Sequence, residues 1–315
     1  MLAPALLAAL AVLLAWPVPL LLSRAKWTHR SPAAALVVWQ AIAIAGGLSM
    51  IGALLTFGLA PFGEHLVSGA IGFVTTVGSG EPVQPSELWN VLALCAAALL
   101  TAHLLLNLVL TVVRSERQRR RHAELLMLLS SPMPSGYRLI DTPAPVAYCL
   151  PGALRSVTVV SAGLIELLDE PAMRAVIEHE KAHVRQRHDV VLVLFRAWHA
   201  SLPWFPIAYR AQREVALLIE LLADDYARKS VHDAVLEGAI ARVGAGRDDT
   251  GAASASGEWA DAASPDTLTV RVSRLNPQAS ALPSAVEATI VAAAVLLLAI
   301  PPVLLLMPTA LAMVR

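Results

Sequence analysis

Glu178-His179-Glu180-Lys181-Ala182-His183 is the stretch on which the reading of this chain turns, and it has the pattern His-Glu-x-x-His. On a helix, residues four apart lie one above the other on the same face, so His179 and His183 can offer their imidazoles to one metal ion while Glu180 flanks the same spot. Two nitrogen ligands beside a carboxylate base form the core of a zinc hydrolase. The flanking residues favour the helix: Asp169 and Glu170 put negative charge at its start and Pro171 suits a first turn. Ala172 to Arg187 contains no glycine or proline to interrupt it. The competing account is a helix that carries two histidines beside a glutamate by chance. A third ligand downstream is what separates the two.

Downstream, residues 212–227 read as an unbroken helix in which Glu220 and Asp224 are four apart and share a face. Glu220 can complete the ligand set, and Asp224 can accept a hydrogen bond from the far nitrogen of a ligand histidine, which fixes that ring's orientation. Glu214 is the substitute ligand should the register differ. A solvated acidic face is the plain alternative, and it would prevail were the upstream motif missing. His188 and Tyr226 are candidates for stabilising an oxyanion.

The chain's 315 residues are 57% hydrophobic and only 15% charged, with a mean hydropathy of +0.62. Ordinary soluble domains carry roughly 25% charged residues, so much of this chain is expected to meet lipid. With 24 basic and 24 acidic residues the net charge is zero, which gives no reason to expect direct nucleic-acid binding. Cys95 and Cys149 lie far apart and indicate neither a disulfide framework nor a cysteine metal site.

Four segments are apolar enough to span: residues 2–22, 33–59, 88–113 and 284–315. The first is read as a retained span, since no Lys or Arg precedes it and Arg24, Lys26 and Arg30 follow. The loop from Pro61 to Glu87 has no basic residue, whereas Arg114, Arg117, Arg119, Arg120 and Arg121 follow the third span. By the positive-inside rule, the first and third junctions face the cytoplasm, and so does the region between the third and fourth spans. Asn90, His103 and Asn107 fall at membrane depth, where interhelical hydrogen bonding is weighed against a functional site.

The expected organisation is therefore a mainly α membrane protein: three transmembrane helices in residues 1–113, a cytoplasmic α+β metallopeptidase domain in 114–242, a flexible linker with a short amphipathic segment in 243–283, and a fourth transmembrane helix in 284–315. Short β-type runs at Tyr137–Ile140, Val146–Leu150 and Val157–Val160 precede the metal helix, with an edge strand able to hold a peptide. Residues 190–206 are apolar too, but a single crossing there would put His179 and Glu220 on opposite sides of the membrane. They are read as a helical hairpin, buried against the domain or lying at the surface, with Trp198 and Trp204 as interfacial anchors.

His179-Glu180-x-x-His183 with Arg187-His188-Asp189, then Trp204-Phe205-Pro206, then Glu220-x-x-Ala223-Asp224, resembles the BlaR/MecR-type integral-membrane zinc metallopeptidases over about Pro145 to Arg228. The Glu220/Asp224 element also looks like that of CAAX prenyl proteases and HtpX-type membrane proteases. The resemblance implies a gluzincin-like site: His179, His183 and Glu220 on Zn2+, Glu180 as base, and Asp224 behind the ligands. It implies a cytoplasmic protein substrate such as a BlaI-like transcriptional repressor. HtpX-like quality control, or a signal transducer with a structural metal, are the alternatives. The antibiotic sensors of this type carry a large external penicillin-binding domain, whereas only Val314 and Arg315 follow the last span here, so direct β-lactam sensing is not expected. The linker around Gly251 to Ser264 is the segment in which self-cleavage would fall.

Overall fold

A computed structural model describes residues 2–80, 84–134, 136–150, 157–202, 206–249, 265–276 and 281–314. Trp204, Phe205 and the segment Gly251 to Ser264 lie outside the described residues.

The chain opens with α1 (Leu2–Ala15) and α2 (Pro17–Leu22). The helix breaks between them because Pro17 and Pro19 have no N–H to donate. A short α3 (Trp27–Arg30) leads into α4 (Pro32–Leu59). Next comes α5 (Leu66–Gly78), in a region expected as loop. Its glycines argue against a helix by propensity, but the segment packs back on the end of α4, and Phe62 and Phe73 meet edge to face at 5.2 Å. The helix α6 (Leu88–Leu129) runs unbroken through the arginine cluster. At the other end of the chain stands α13 (Ser284–Val314). Among the described residues, four helical stretches are long and apolar enough to cross a membrane: Leu2–Leu22, Pro32–Leu59, Pro85–Leu129 and Ser284–Ala312.

Between α6 and α13 lies a small sheet followed by a helical layer. The strands β1 (Ser130–Pro132), β2 (Arg138–Ile140), β3 (Ala147–Leu150) and β4 (Val157–Ser161) have the order β1-β2-β4-β3. β2 and β4 are parallel and the outer pairs antiparallel, with Leu139 opposite Val160 and Tyr148 opposite Val159. β1 was not expected from its Ser-Ser-Pro composition; it is a strand because it pairs with β2. Ser161 ends β4 and caps α7 (Ala162–Leu167), its hydroxyl accepting from the Leu164 amide at 3.0 Å.

Four more helices complete the unit: α8 (Glu170–Arg185), α9 (His188–Ser201), α10 (Pro206–Ala227) and α11 (Asp233–Asp249), with α12 (Pro265–Leu275) beyond. Residues 243–249, expected as the start of a linker, are instead the last turns of α11. Their glycines serve close packing rather than flexibility: a Cβ on Gly244 would stand 2.8 Å from Leu268 of α12.

α9 and α10 form the expected hairpin, and it reaches into the membrane bundle. The side chain of Arg119 meets Asp189 at 3.5 Å near the start of α9, and His103 Nε2 donates to the Ser201 carbonyl at 3.0 Å at its end. α9 therefore runs antiparallel to α6. His103 lies eleven residues before Arg114, so Ser201 at the end of α9 meets α6 about 16 Å along the helix from the first arginine at 1.5 Å per residue. Trp198 is not an interfacial anchor: its ring packs 3.5 Å from where a Cβ on Gly47 of α4 would be. Asn90 likewise donates to the Phe57 carbonyl at 2.7 Å. These polar groups at membrane depth join helix to helix.

α10 belongs to two cores. Val215, Leu218, Ile219 and Leu221 are buried with Leu14, Trp39, Ile42, Leu192 and Phe195, tying the hairpin to α1 and α4. Ala227, one turn past the acidic pair, joins Val160, Leu164, Ala172, Ala175, Leu236 and Leu275, the core beneath the sheet. Truncating one such leucine to alanine costs about 2–5 kcal/mol, so α10 is a fixed strut between spans and sheet.

Candidate metal centre

α8 starts where the sequence predicts. Asp169 caps it, its carboxylate accepting from the Ala172 amide at 3.0 Å, and Pro171 follows in the first turn. The helix is amphipathic: Ala172, Ala175, Ile177, His179 and Ala182 are buried. His179 and His183 thus turn towards α10 rather than to water. The chain turns sharply after α8 at Arg187, a non-glycine residue in the left-handed region at φ 51°, and this returns His188 beside His183.

One ligand atom from each of His179, His183 and Glu220 lies within 4.8 Å of the others. The separations carry more information than the grouping. The two Nε2 atoms are 3.2 Å apart, His179 Nε2 is 3.3 Å from Glu220 Oε2, and His183 Nε2 is 3.6 Å from Glu220 Oε1. Two ligands at 2.0–2.1 Å from one tetrahedral zinc ion are separated by about 3.3 Å. The two imidazole nitrogens are at about that spacing, and each lies near one of the two Glu220 oxygens, so the three side chains can hold one ion between them. Glu214, the substitute ligand, is not in this group.

Each histidine is oriented from behind. His179 Nδ1 donates to Asp224 Oδ1 at 2.8 Å, which leaves the Nε2 lone pair facing His183 and Glu220. His183 Nδ1 is 3.0 Å from His188 Nδ1, and His188 Nε2 is 3.0 Å from Gln186 Oε1. For His183 Nε2 to act as a ligand, its Nδ1–H must donate to His188, whose own Nε2–H then donates to Gln186. In that arrangement both ring nitrogens of His188, one of the two candidates for stabilising an oxyanion, are engaged, one with His183 and one with Gln186. The hydroxyl of Tyr226, the other candidate, accepts from Arg185 at 2.6 Å.

Arg271 completes the site, and the sequence reading missed it. Its Nε and Nη2 donate to Asp224 Oδ2 and Oδ1, both at 2.8 Å, and its Nη1 lies 3.0 Å from Glu220 Oε2. Burial of two carboxylates four residues apart is costly unless a cation meets them. The residues offered no metal-ligand pattern that points to an arginine forty-seven positions later. The signal that could have found it is the buried acidic pair itself, which requires a counter-charge somewhere on an amphipathic helix.

The electrostatics follow from this packing. Burial works to raise the Glu220 carboxyl, but Arg271 and the two histidines hold it well below the usual carboxylate range, and Asp224 is held low against its own burial by Arg271 and His179. Burial and Arg271 both oppose a proton on His179, yet the hydrogen bonds to Asp224 and Glu220 prevail and raise its pKa to about 9. Burial dominates at His183 and His188, which are pushed down to about 3 and about 4.

Glu180 stands next to His179 on α8, close enough to Arg271 and to Cys149 of β3 to bear on the ionisation of both. β3 packs against α8 and is an outer strand of the sheet. The site therefore offers metal-binding side chains, a carboxylate beside them and a strand edge alongside. Cys95 and Cys149 are free thiols.

Residues 112–222 match the family model described as Peptidase family M48. That match spans His179, Glu180, His183 and Glu220, and ends before Asp224 and Arg271. It supports an M48-type metallopeptidase, a family whose members are typically zinc-dependent, and does not single out the BlaR/MecR type. No curated protein and no solved structure matches the chain.

Proposed function

We propose that this chain is a membrane-bound zinc endopeptidase, with His179, His183 and Glu220 as zinc ligands and Glu180 as the general base. The observation that carries the reading is the convergence of His179, His183 and Glu220, one ligand atom from each lying within 4.8 Å of the others. The family match over residues 112–222 and the four apolar helices point the same way.

Zinc held there supplies a Lewis acid that acidifies water and polarises a peptide carbonyl. Glu180 takes a proton from the attacking water and returns it to the departing amine as the C–N bond breaks. Asp224 and His188 hold the two imidazoles in register. Arg271, shared between Asp224 and Glu220, offsets one of the two buried negative charges and eases their mutual repulsion. A substrate peptide adds as a strand along β3, where main-chain hydrogen bonds bring its carbonyl towards Glu180.

In the first reading of the substrate, the enzyme cuts a cytoplasmic protein such as a BlaI-like repressor, with the arginine cluster marking the cytoplasmic side. A specific observation favours a second reading, HtpX-like cleavage of membrane proteins. Asp189 meets Arg119 of α6 at 3.5 Å, and its neighbour His188 is 3.0 Å from His183, so the ligand set lies close to the arginine cluster that follows the third span. A bond presented at that level belongs most naturally to a segment emerging from a membrane helix.

The test is Glu180→Gln in the full-length protein. It should keep wild-type zinc content and lose activity by about 10²–10⁴-fold, the usual contribution of a positioned base. The same variant, used as a trap with mass spectrometry of what it retains, separates repressor from membrane-protein substrates. A folded, zinc-loaded Glu180→Gln protein that cuts as fast as wild type removes the reading.

A further inference from the structure

α12 carries a second arginine one turn beyond Arg271, and its contacts lead away from the metal centre. Arg274 Nη1 and Nη2 donate to Asp225 Oδ1 and Oδ2 at 2.6 and 2.7 Å, a two-pronged pair with the carboxylate next to Asp224. Its remaining donor, Nε, reaches the backbone carbonyl of His29 at 2.6 Å. His29 belongs to α3, in the short segment that joins the first two membrane helices. The Arg274 side chain is only 14% exposed, so three of its donors are committed in a largely buried place.

The two arginines divide the work on consecutive carboxylates. Three residues apart on a helix, they project from nearly the same face: Arg271 takes Asp224 and Glu220, and Arg274 takes Asp225. A planar guanidinium that forks onto a carboxylate fixes direction as well as distance, and the third bond to His29 removes the remaining freedom of rotation. α12 is eleven residues long. Val270 packs against one core, Leu268, Val272 and Leu275 belong to the other, and α11 closes on Leu268 at Gly244; to this apolar seating Arg271 and Arg274 add directional bonds to α10. Among the described residues, Arg228 Nη1 also lies 3.7 Å from Asp225, but Arg228 is engaged in its own two-pronged pair with Asp233 at 2.8 and 2.7 Å.

We infer that Arg274 is a positioning residue for the peptidase: by joining Asp225 to the His29 carbonyl it sets α12 along α10, so that Arg271 meets Glu220 and Asp224. It touches neither a metal ligand nor the place of a substrate. It acts through Arg271, and it ties the geometry of the metal centre to the segment between the first two spans. A shift of α1 or α2 relative to α4 thereby reaches Glu220 without crossing the sheet. This rests on the zinc-peptidase reading, and it adds to that reading a residue whose own chemistry is only positional.

The experiment uses the full-length protein in detergent, loaded with cobalt(II) in place of zinc so that its visible spectrum reports ligand geometry, together with turnover of fluorescein-labelled casein. Arg274→Ala should lower kcat about tenfold with KM little changed, the scale of losing an outer partner of a metal site. Its cobalt spectrum should move towards that of Arg271→Ala, and Arg274→Lys should recover only part, since an ammonium cannot fork onto Asp225 and reach His29 together. In an Arg271→Ala background, Arg274→Ala should add nothing further, because its effect passes through Arg271. Asp225→Asn, which leaves the arginines in place, should reproduce the defect and stands in should Arg274→Ala fold poorly. A wild-type cobalt spectrum and kcat in folded Arg274→Ala or Asp225→Asn overturns the assignment, as does a loss that adds in full to that of Arg271→Ala. A wild-type protein that takes up no cobalt, or a Glu180→Gln protein as active as wild type, strikes at the peptidase reading instead.

Discussion

Replacing Asp224 by asparagine keeps the shape of the more buried of the two acidic groups and removes its charge. Asp224 is 1% exposed and receives three hydrogen bonds at 2.8 Å, from His179 Nδ1 and Arg271 Nη2 on Oδ1 and from Arg271 Nε on Oδ2. An asparagine has a single oxygen. Placed at Oδ1 it keeps two of the bonds but sets its NH2 against the Arg271 Nε–H, donor to donor. Breaking a buried ion pair by removing one partner costs about 3–5 kcal/mol. Because Glu220 still faces Arg271 at 3.0 Å, the loss in folding stability should lie at the low end, about 3 kcal/mol. The His179 ring loses the anion that holds it in register, and such outer partners are worth about 10–100-fold in metal affinity or activity. At 1.4 kcal/mol per decade that is about 1.4–2.8 kcal/mol. Zinc affinity is read by competition with a chromophoric chelator, stability by denaturant unfolding in detergent, and turnover on the same preparation. A folded Asp224→Asn protein with zinc affinity and turnover within about twofold of wild type would falsify the argument that Asp224 orients His179.

Three further outcomes are expected. Burial, with Glu180 adding to it, raises the Cys149 thiol above the ordinary cysteine value, so less thiolate is present at any pH below that point. Alkylation in a Cys95→Ser background should be slower than for an exposed cysteine and should rise along a pH profile displaced to higher pH. A peptide bound along β3 should slow it further, and an unshifted profile would contradict the burial of Cys149. Gly47→Ala should be tolerated, since the new methyl meets Trp198 at an ordinary 3.5 Å, whereas Gly163→Ala should destabilise by about 1–3 kcal/mol or more because the Cβ would overlap the Pro143 carbonyl. Thermal unfolding of the two variants side by side checks the contrast, and equal midpoints would refute it. His103→Leu leaves the Ser201 carbonyl without the donor it has at 3.0 Å, which should cost about 1–3 kcal/mol; unchanged denaturant unfolding would count against a seated hairpin.

Much of this protein is legible in its sequence, for local reasons. His179 and His183 are close because four residues make one helical turn, and Asp169 with Pro171 marks where that helix begins. Long apolar runs become spans because an unpaired backbone is not tolerated in lipid. Even Glu220 and Asp224 could be assigned a shared face from their spacing alone.

What tertiary structure decided is whatever joins residues with no fixed spacing. Glu220 meets the histidines only because α10 returns beside α8 after a hairpin that descends along α6. Val190 to Ser201 reads equally as a surface helix or a buried one until the Arg119–Asp189 and His103–Ser201 contacts set its depth. Residues 243–249 have a linker's composition, yet they are helix because Gly244 lets α11 close on Leu268. Arg271 is the clearest instance. Its presence near the site follows from a charge balance, two buried carboxylates needing a cation, and a sequence states that need without naming which of its basic residues will meet it. His179-Glu180-x-x-His183 determined the chemistry through the pitch of one helix; the fold determined which distant side chains hold that chemistry in place, because burial and charge are settled only when α8, α10 and α12 pack together.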